Sequence, residues 1–538
     1  MRKTFISAPA ILSATAVLVF AAAAHADELS DIQAQARQLH EQNQAMTRRL
    51  ADLEKRQKAL ETTPVAKPAS SGINPTDAMA ADLPYKAAVK APAPVSDDLC
   101  WKGMCLYGNF DVGLSYQNHG APLNNVATTP LNWLVSKNSG GSYFGASPNN
   151  LSTSFLGLRG KQEIADNLYA VFNLQSQFNP LSGMNLNGLG SIVQNNGLSL
   201  AQQTAFGDSS KDGQMFNGAA YAGISSPVYG TLTYGRQNAL SSDLVTNYDP
   251  ISGSNAWSVI TFQGASGGGG DTANRIYDNS FEYRVNVGPV RFAVETQLRN
   301  GGNSGTGNAF EGDVGFDYLG LSMDFIGGKI YDAVSSSPLT AVQVTAANAA
   351  GLAMGSGQVA ATISDNTVFQ VAAKYTIGPL KLFAGYEHID FANPTNPLGA
   401  GAFLEGGYVI TNPNNTNFTT DRILQVFWVG GKYSVRSDLD LSVAYYHELQ
   451  NSFIIGNGSN PTGTCNTVVS AGCSGTLDAV SFVADWRFAK HFDFYAGVMW
   501  SQVQNGLANG FLLTNGTPGN TSNKASAFDP GLGLRYQF

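Results

Sequence analysis

The chain has 538 residues, of which 13% are charged and 10% aromatic, with 59 glycines, a formal net charge of −8 and a mean hydropathy of −0.09. No stretch beyond the N-terminus reaches the ~18–20 apolar residues of a membrane-spanning helix, and an acidic chain without a basic patch speaks against a nucleic-acid partner. Low mean hydropathy does not exclude a membrane barrel, because in such a barrel only alternate residues face lipid.

Residues 1–26 read as a secretory signal. Arg2 and Lys3 open it, an apolar run follows from Ala8 to Ala24, and Ala24-His25-Ala26 fits the small-x-small cleavage rule, which makes Asp27 the mature start. An uncleaved anchor is the alternative, but the run is short. Export places the four cysteines in an oxidising compartment. They fall into two local pairs, Cys100 with Cys105 and Cys465 with Cys473. Short-range disulfides are the simplest reading, since a zinc site would use C-x₂-C spacing. No metal or cofactor is expected.

Residues 27–61 carry a heptad. Its d positions are Ile32, Leu39, Met46, Leu53 and Leu60, and its weaker a positions are Leu29, Ala36, Asn43, Leu50 and Gln57. A central Asn at an a position costs stability but sets register, so a parallel coiled coil about 50 Å long is expected in the periplasm. Residues 62–98 are rich in Ala, Pro, Lys and Asp with no periodicity, and read as a semi-extended linker.

The period changes to two at Leu106. In LYGNFDVGLSYQ, Leu106, Phe110, Val112, Leu114 and Tyr116 share one face, and Asn109, Asp111, Ser115 and Gln117 share the other. The same alternation recurs in fifteen further segments through 99–538: SFLGLRGKQ, NLYAVFNLQSQF, FNGAAYAGIS, GTLTYGRQ, DNSFEYRVN, VRFAVETQ, EGDVGFDY, LSMDFIGG, TVFQVAAKY, LKLFAGYEH, RILQVFWVGGKY, LDLSVAYYHE, LDAVSFVADWRF, FDFYAGVMWS and GLGLRYQF. RILQVFWVGGKY is ambiguous in phase. Short turns (EIADN, SSPVYG, NVGP, YLG, TIGP, SVRSD, FAKHFD) alternate with long Gly/Asn/Ser-rich loops at about 118–151, 179–215, 238–277, 298–310, 328–366, 388–421, 449–476 and 504–527. This predicts an all-β fold, a 16-stranded antiparallel transmembrane β-barrel with long outer loops and short periplasmic turns, preceded by the coiled-coil helix. A propeller or sandwich would supply strands without the loop asymmetry. In lipid every backbone group must be paired, so the last strand must close on the first, which puts the terminal Phe538 at the periplasmic rim.

LYGNFDVGLSYQ, LGLRGKQEIADNLYAVFNLQSQFN, FNGAAYAGISSPVYGTLTYGRQ, DNSFEYR and the terminal YQF resemble the general, non-specific porins of Gram-negative outer membranes. The resemblance covers residues 106–300 and the last strand. It implies a trimeric diffusion channel whose third outer loop folds into the lumen, and a terminal aromatic, Phe538, read by the barrel-assembly machinery. By the same resemblance Asp243 and Asp249 in the third loop face wall cations across a constriction. The inward candidates are Arg159, Lys161, Arg284 and Arg291 with Glu282, while Arg236 and Arg275 sit at the loop's ends. Phe155 and Gly218 occupy positions that carry ladder arginines in the family, so the eyelet is expected to be less cationic. The barrel's excess of acidic residues predicts a mild cation preference.

Enzyme chemistry has no constellation here. His25, His40, His119, His388, His447 and His491 are scattered, and no zinc-protease, P-loop or nucleophile-elbow motif is present. Passive diffusion of ions and small hydrophilic solutes is the expected function. A channel specific for a sugar or small organic acid, with Tyr169 able to stack on a sugar ring, is one alternative. A tether from the outer membrane to peptidoglycan through the coiled coil is another.

Overall fold

The computed structural model describes residues 99–118, 142–183, 185, 215–261, 276–298, 308–338, 359–397, 404–405, 408–409, 414–416, 418–455, 474–508 and 524–538. The signal, heptad, linker, Cys465–Cys473 pair and Arg275 lie outside them.

A hairpin opens the described chain. Leu99–Trp101 pairs with Met104–Leu106 across Lys102 and Gly103, both at positive φ, and the directly opposed Cys100 and Cys105 are joined by a disulfide. The barrel follows. Its first strands are β1 (Met104–Gln117), β2 in two pieces (Tyr143–Pro148 and Phe155–Ala165), β3 (Leu168–Gln177), β4 (Ala219–Ser226) and β5 (Gly230–Asn238). Next come β6 (Ile276–Val287), β7 (Val290–Gln297), β8 (Ala309–Tyr318), β9 (Leu321–Pro338), β10 (Val359–Ile377) and β11 (Leu380–Ala392). The last are β12 (Arg422–Arg436), β13 (Leu439–Gln450), β14 (Gly475–Ala489), β15 (Phe492–Asn505) and β16 (Lys524–Gln537).

Each strand pairs antiparallel with its neighbours, and β16 returns to β1 in the register Asn109↔Gln537 to Ser115↔Gly531. The sheet therefore closes as sixteen strands, as the alternation predicts. Phe538 completes the seam: its carbonyl accepts from Gly108 N at 2.9 Å, and its N–H donates to Gly108 O at 3.1 Å.

The outer face is apolar because the outward parity is apolar. Leu106, Phe110, Val112, Leu114, Phe292, Val294, Phe325, Phe369, Val443, Phe482, Leu532 and Leu534 are all exposed. A soluble protein avoids so broad an exposed apolar band. Near the short-turn end of β14–β16, Trp486, Phe488, Phe492, Tyr536 and Phe538 form a chain of ring contacts spaced 4.7–6.1 Å. Among the short turns, Leu319 and Gly320 both take positive φ, the geometry of a two-residue type I′ hairpin.

Three boundaries differ from the sequence reading. Tyr143–Pro148 lies in what reads as a loop yet pairs with the upper half of β1. The expected loop at 328–366 is strand at both its ends, since β9 and β10 pair out to Pro338 and Val359. A polar inner face on every strand also does not hold. Ile326, Val368, Ile389, Val426, Ala444, Ala479 and Val483 point inward and are buried. The cause is the segment that follows β5.

Candidate functional site

The β5–β6 loop, L3, turns into the barrel instead of away from it. At Ala239 the chain enters helix α1 (Leu240–Tyr248), whose buried face is Leu240, Leu244, Val245 and Tyr248. That spacing makes one apolar stripe. The stripe continues through Ile251, Ala256, Trp257, Val259 and Ile260, and all of these cluster with the inward apolar residues of β9–β16. The inner wall is apolar there because L3 covers it.

Polar contacts fasten the described part of L3 over residues 240–257. Ala239 offers no side-chain cap, so the wall caps the helix. Glu295 Oε2 accepts from Leu240 N at 3.2 Å, and Glu311 accepts from Ser241 N at 2.9 Å, Ser241 Oγ at 2.7 Å and Tyr277 OH at 2.9 Å. At the other end Trp428 Nε1 donates to Tyr248 O at 3.0 Å and Lys374 Nζ to Asn247 O at 3.2 Å. Carboxylates at the N-terminus and a lysine at the C-terminus match the helix dipole.

Beyond the helix, Trp257 Nε1 donates to Asp529 O on β16, and Ser481 Oγ on β14 donates to Trp257 O at 2.6 Å. Gly497 leaves room for the indole: a Cβ there would lie 2.7 Å from the Trp257 ring. L3 then meets the break in β2. Asn150 O accepts from Ala256 N and Ser254 Oγ, both at 2.9 Å, and Asn255 Nδ2 donates to Asn149 O at 2.9 Å. The break is itself held by Asp111 on β1, which accepts from Ser152 N at 2.7 Å and Leu151 N at 3.1 Å. Two strand pieces around an inward notch are thus the dock for residues 254–256 of L3.

The charged candidates separate into groups. Arg284 bonds Asp243 and Glu282, each at 2.5 Å. Burial pushes the Asp243 carboxyl up to about 6 against the pull of the Arg284 charge. Arg291 bonds Asp317 and Asp324 and reaches Tyr248 OH at 3.2 Å. Arg236 is buried, bonded to Asn217 O at 3.0 Å and Asp278 at 2.6 Å. Asp249 is buried too, accepting from Tyr446 OH at 2.6 Å and Gly253 N at 2.7 Å, and burial raises its pKa. It is a structural pin of L3 and does not face solutes.

On the wall of β2 and β3, Arg159 lies over the Tyr107 ring at 4.8 Å and Lys161 over Tyr169 at 4.4 Å. No carboxylate pairs with Arg159 among the described residues. Phe155 packs edge-on against Tyr107, and Gly218 lies under the Gln175 side chain.

A second set of inward charges escaped the sequence reading, Lys374 on β10, Lys381 on β11, Lys432 on β12 and Arg487 on β14, and it is joined by Arg535 on β16, which the parity of GLGLRYQF already places inward. Arg487 bonds Asp440 at 2.9 Å, and Arg535 bonds Asp493 at 2.6 Å and Asp485 at 3.3 Å. Parity would have found them, as it found Arg284. On β12 it could not, because the inner face is apolar where Val426 and Trp428 meet L3, and that produces the ambiguous phase.

The family model described as Gram-negative porin matches residues 77–506. An outer membrane porin protein of Bordetella pertussis is 27% identical over 146 residues, 27% of this chain and 31% of that protein, so the match spans about a third of the relative's length. Among solved structures, the anion-selective porin from Comamonas acidovorans superposes with a TM-score of 0.51 at 16% identity, covering 81% of this chain and 99% of the other. OmpT, an outer membrane protein of Vibrio cholerae, does so with a TM-score of 0.47 at 14% identity, covering 82% and 100%.

Proposed function

The chain belongs to the Gram-negative porin family and is an outer-membrane protein, and from that premise we propose a water-filled channel for passive diffusion of ions and small hydrophilic solutes, narrowed by L3. The observation that carries this reading is the fastening of L3 to the inner wall from Glu295 and Glu311 round to Asn149 and Asn150. A loop held so firmly inside a barrel reduces its bore without needing to move.

The lumen charge favours a different ion preference from the one the composition predicts. Asp243, Asp317 and Asp324 are engaged by arginines, and Asp249 is buried. Arg159 rests on the Tyr107 ring with no carboxylate paired to it among the described residues, and Lys161 lies over the Tyr169 ring. Local charges outweigh the chain total inside a narrow pore, so we propose a mild anion preference. The Lys161 amine covers the Tyr169 face, which argues against a sugar-stacking platform there.

By the same proposal the short turns face the periplasm, the assembly is a homotrimer inserted through Phe538, and no catalytic step is involved. Single-channel conductance of purified protein in a planar bilayer tests this. Steps in multiples of three with an anion-directed reversal potential in a salt gradient are expected. Folded, heat-modifiable protein without conductance would overturn the channel.

A further inference from the structure

Lys381 and Lys432 stand directly opposite each other on β11 and β12. Both follow the inward parity: Phe383 and Trp428 share their faces and are buried, whereas Leu382 and Tyr433 on the opposite faces are exposed. Directly opposed residues of an antiparallel pair have Cβ atoms about 5 Å apart, and like charges placed so repel. The arginines of the same belt each hold a carboxylate: Arg291 with Asp317 and Asp324, Arg487 with Asp440, Arg535 with Asp485 and Asp493. Lys381 and Lys432 form no ion pair among the described residues. Lys432 Nζ donates to Ser252 Oγ of L3 at 3.1 Å, which uses one of its three protons.

A third ammonium lies on the next strand. Lys374 reaches Asn247 O at 3.2 Å and lies over the Tyr248 ring at 5.3 Å. Asn247 and Ser252 both belong to L3, and the lysines lie close to the short turns at the ends of their strands. Three positive side chains on consecutive strands therefore sit against the short-turn side of the loop.

We propose that Lys381 and Lys432, with Lys374 beside them, form a subsite for a compact dianionic oxyanion of the phosphate type. A dianion shared by two opposed ammonium groups offsets both of their charges, whereas one chloride offsets only one. Lysine ammonium groups bind phosphate as point charges and impose no planar geometry on a tetrahedral oxyanion. The subsite rests on the channel reading and makes the exit side of L3 a station for phosphate-bearing solutes. Binding there must be loose enough for release, as in any conducting pore.

The test is bilayer current through the full-length protein in chloride salt, with inorganic phosphate added at constant ionic strength so that screening does not change. Phosphate is expected to reduce chloride current saturably. The half-blocking concentration is expected to rise about tenfold or more, equivalent to ~1.4 kcal/mol, in K381Q/K432Q, with K432Q alone intermediate and able to stand in if the double variant does not assemble. Removing the repulsion is also expected to raise the heat-modification temperature of the double variant in phosphate-free buffer. Equal block in wild type and variant, or no block of a conducting wild type, overturns the subsite and leaves the channel standing. If the folded wild type does not conduct, the channel reading fails instead. Equilibrium dialysis of phosphate against the same detergent-solubilised sample then decides the subsite, and absence of saturable binding overturns it.

Discussion

Glu311 accepts both the backbone N–H and the hydroxyl of Ser241, at 2.9 and 2.7 Å, and so ties the first turn of an inward helix to the wall of β8. Tyr277 OH donates to the same carboxylate at 2.9 Å. Removing it strands three buried donors. Glu311→Ala is expected to destabilise the L3 attachment by about 1–3 kcal/mol. The readout is a lower heat-modification temperature together with greater open-channel current noise. Unchanged noise and stability would mean that L3 is held by its apolar face alone.

Asp243 supplies a pH dependence whose sign is fixed. Its carboxyl is raised from 3.8 to about 6 by burial. The folded state therefore binds this proton more tightly than the unfolded chain. Its contribution to stability is full below about 3.8 and is lost as pH rises through about 6. In the pore, acidification from pH 7 to pH 5 removes a negative charge beside Arg284. The reversal potential is expected to move in the anion-selective direction with a midpoint near 6, and Asp243→Asn is expected to abolish that step. A midpoint unaffected by the substitution would assign the step to another group.

The terminal residue makes a separate prediction. Without Phe538, Gly108 loses its two backbone partners at the barrel seam. Unpaired backbone groups in lipid cost several kcal/mol each. Its ring also covers Gly108, where a Cβ would lie 2.6 Å from Phe538 Cζ. Deleting Phe538 is expected to lower the yield of heat-modifiable barrel severely. Gly108→Val, which displaces the ring and crowds Phe155 O but removes neither backbone partner of Gly108, should lower it less. Equal yields for wild type and the deletion would remove Phe538 from assembly.

Deleting residues 27–98 tests the heptad. If Ile32, Leu39, Met46, Leu53 and Leu60 form a coiled-coil seam, trimers of the truncated protein should dissociate at lower temperature, while single-pore conductance stays as it was. Loss of cell-wall association with intact trimers would favour the tether instead.

Much of the barrel was legible because strand parity is a local property. In β1, Phe110, Val112 and Leu114 face lipid and Asp111 and Ser115 face inward, and nothing beyond the strand is needed to see it. The same holds for Arg159, Lys161, Arg284 and Arg291. The closure of β16 on β1 follows from the requirement that backbone groups in lipid be paired, so a terminal Phe538 already implied a seam.

What alternation could not reveal is where the inside of the barrel is dry. Trp428, Val426 and Ile389 point inward and are apolar because Tyr248, Ile251 and Trp257 arrive from a loop far away in sequence. That contact blurred the phase of β12, turned Asp249 from a lumen acid into a buried pin under Tyr446, and broke β2 at Asn149 and Asn150 to receive Ala256. It also decided which charges remain for solutes, since pairing depends on distances across strands and between loop and wall. Sequence by itself determined the sixteen-strand alternation and the membrane, which are set by each residue's own polarity. Only the tertiary structure decided the path of L3 and the partners of each charge, because those depend on which distant side chains meet.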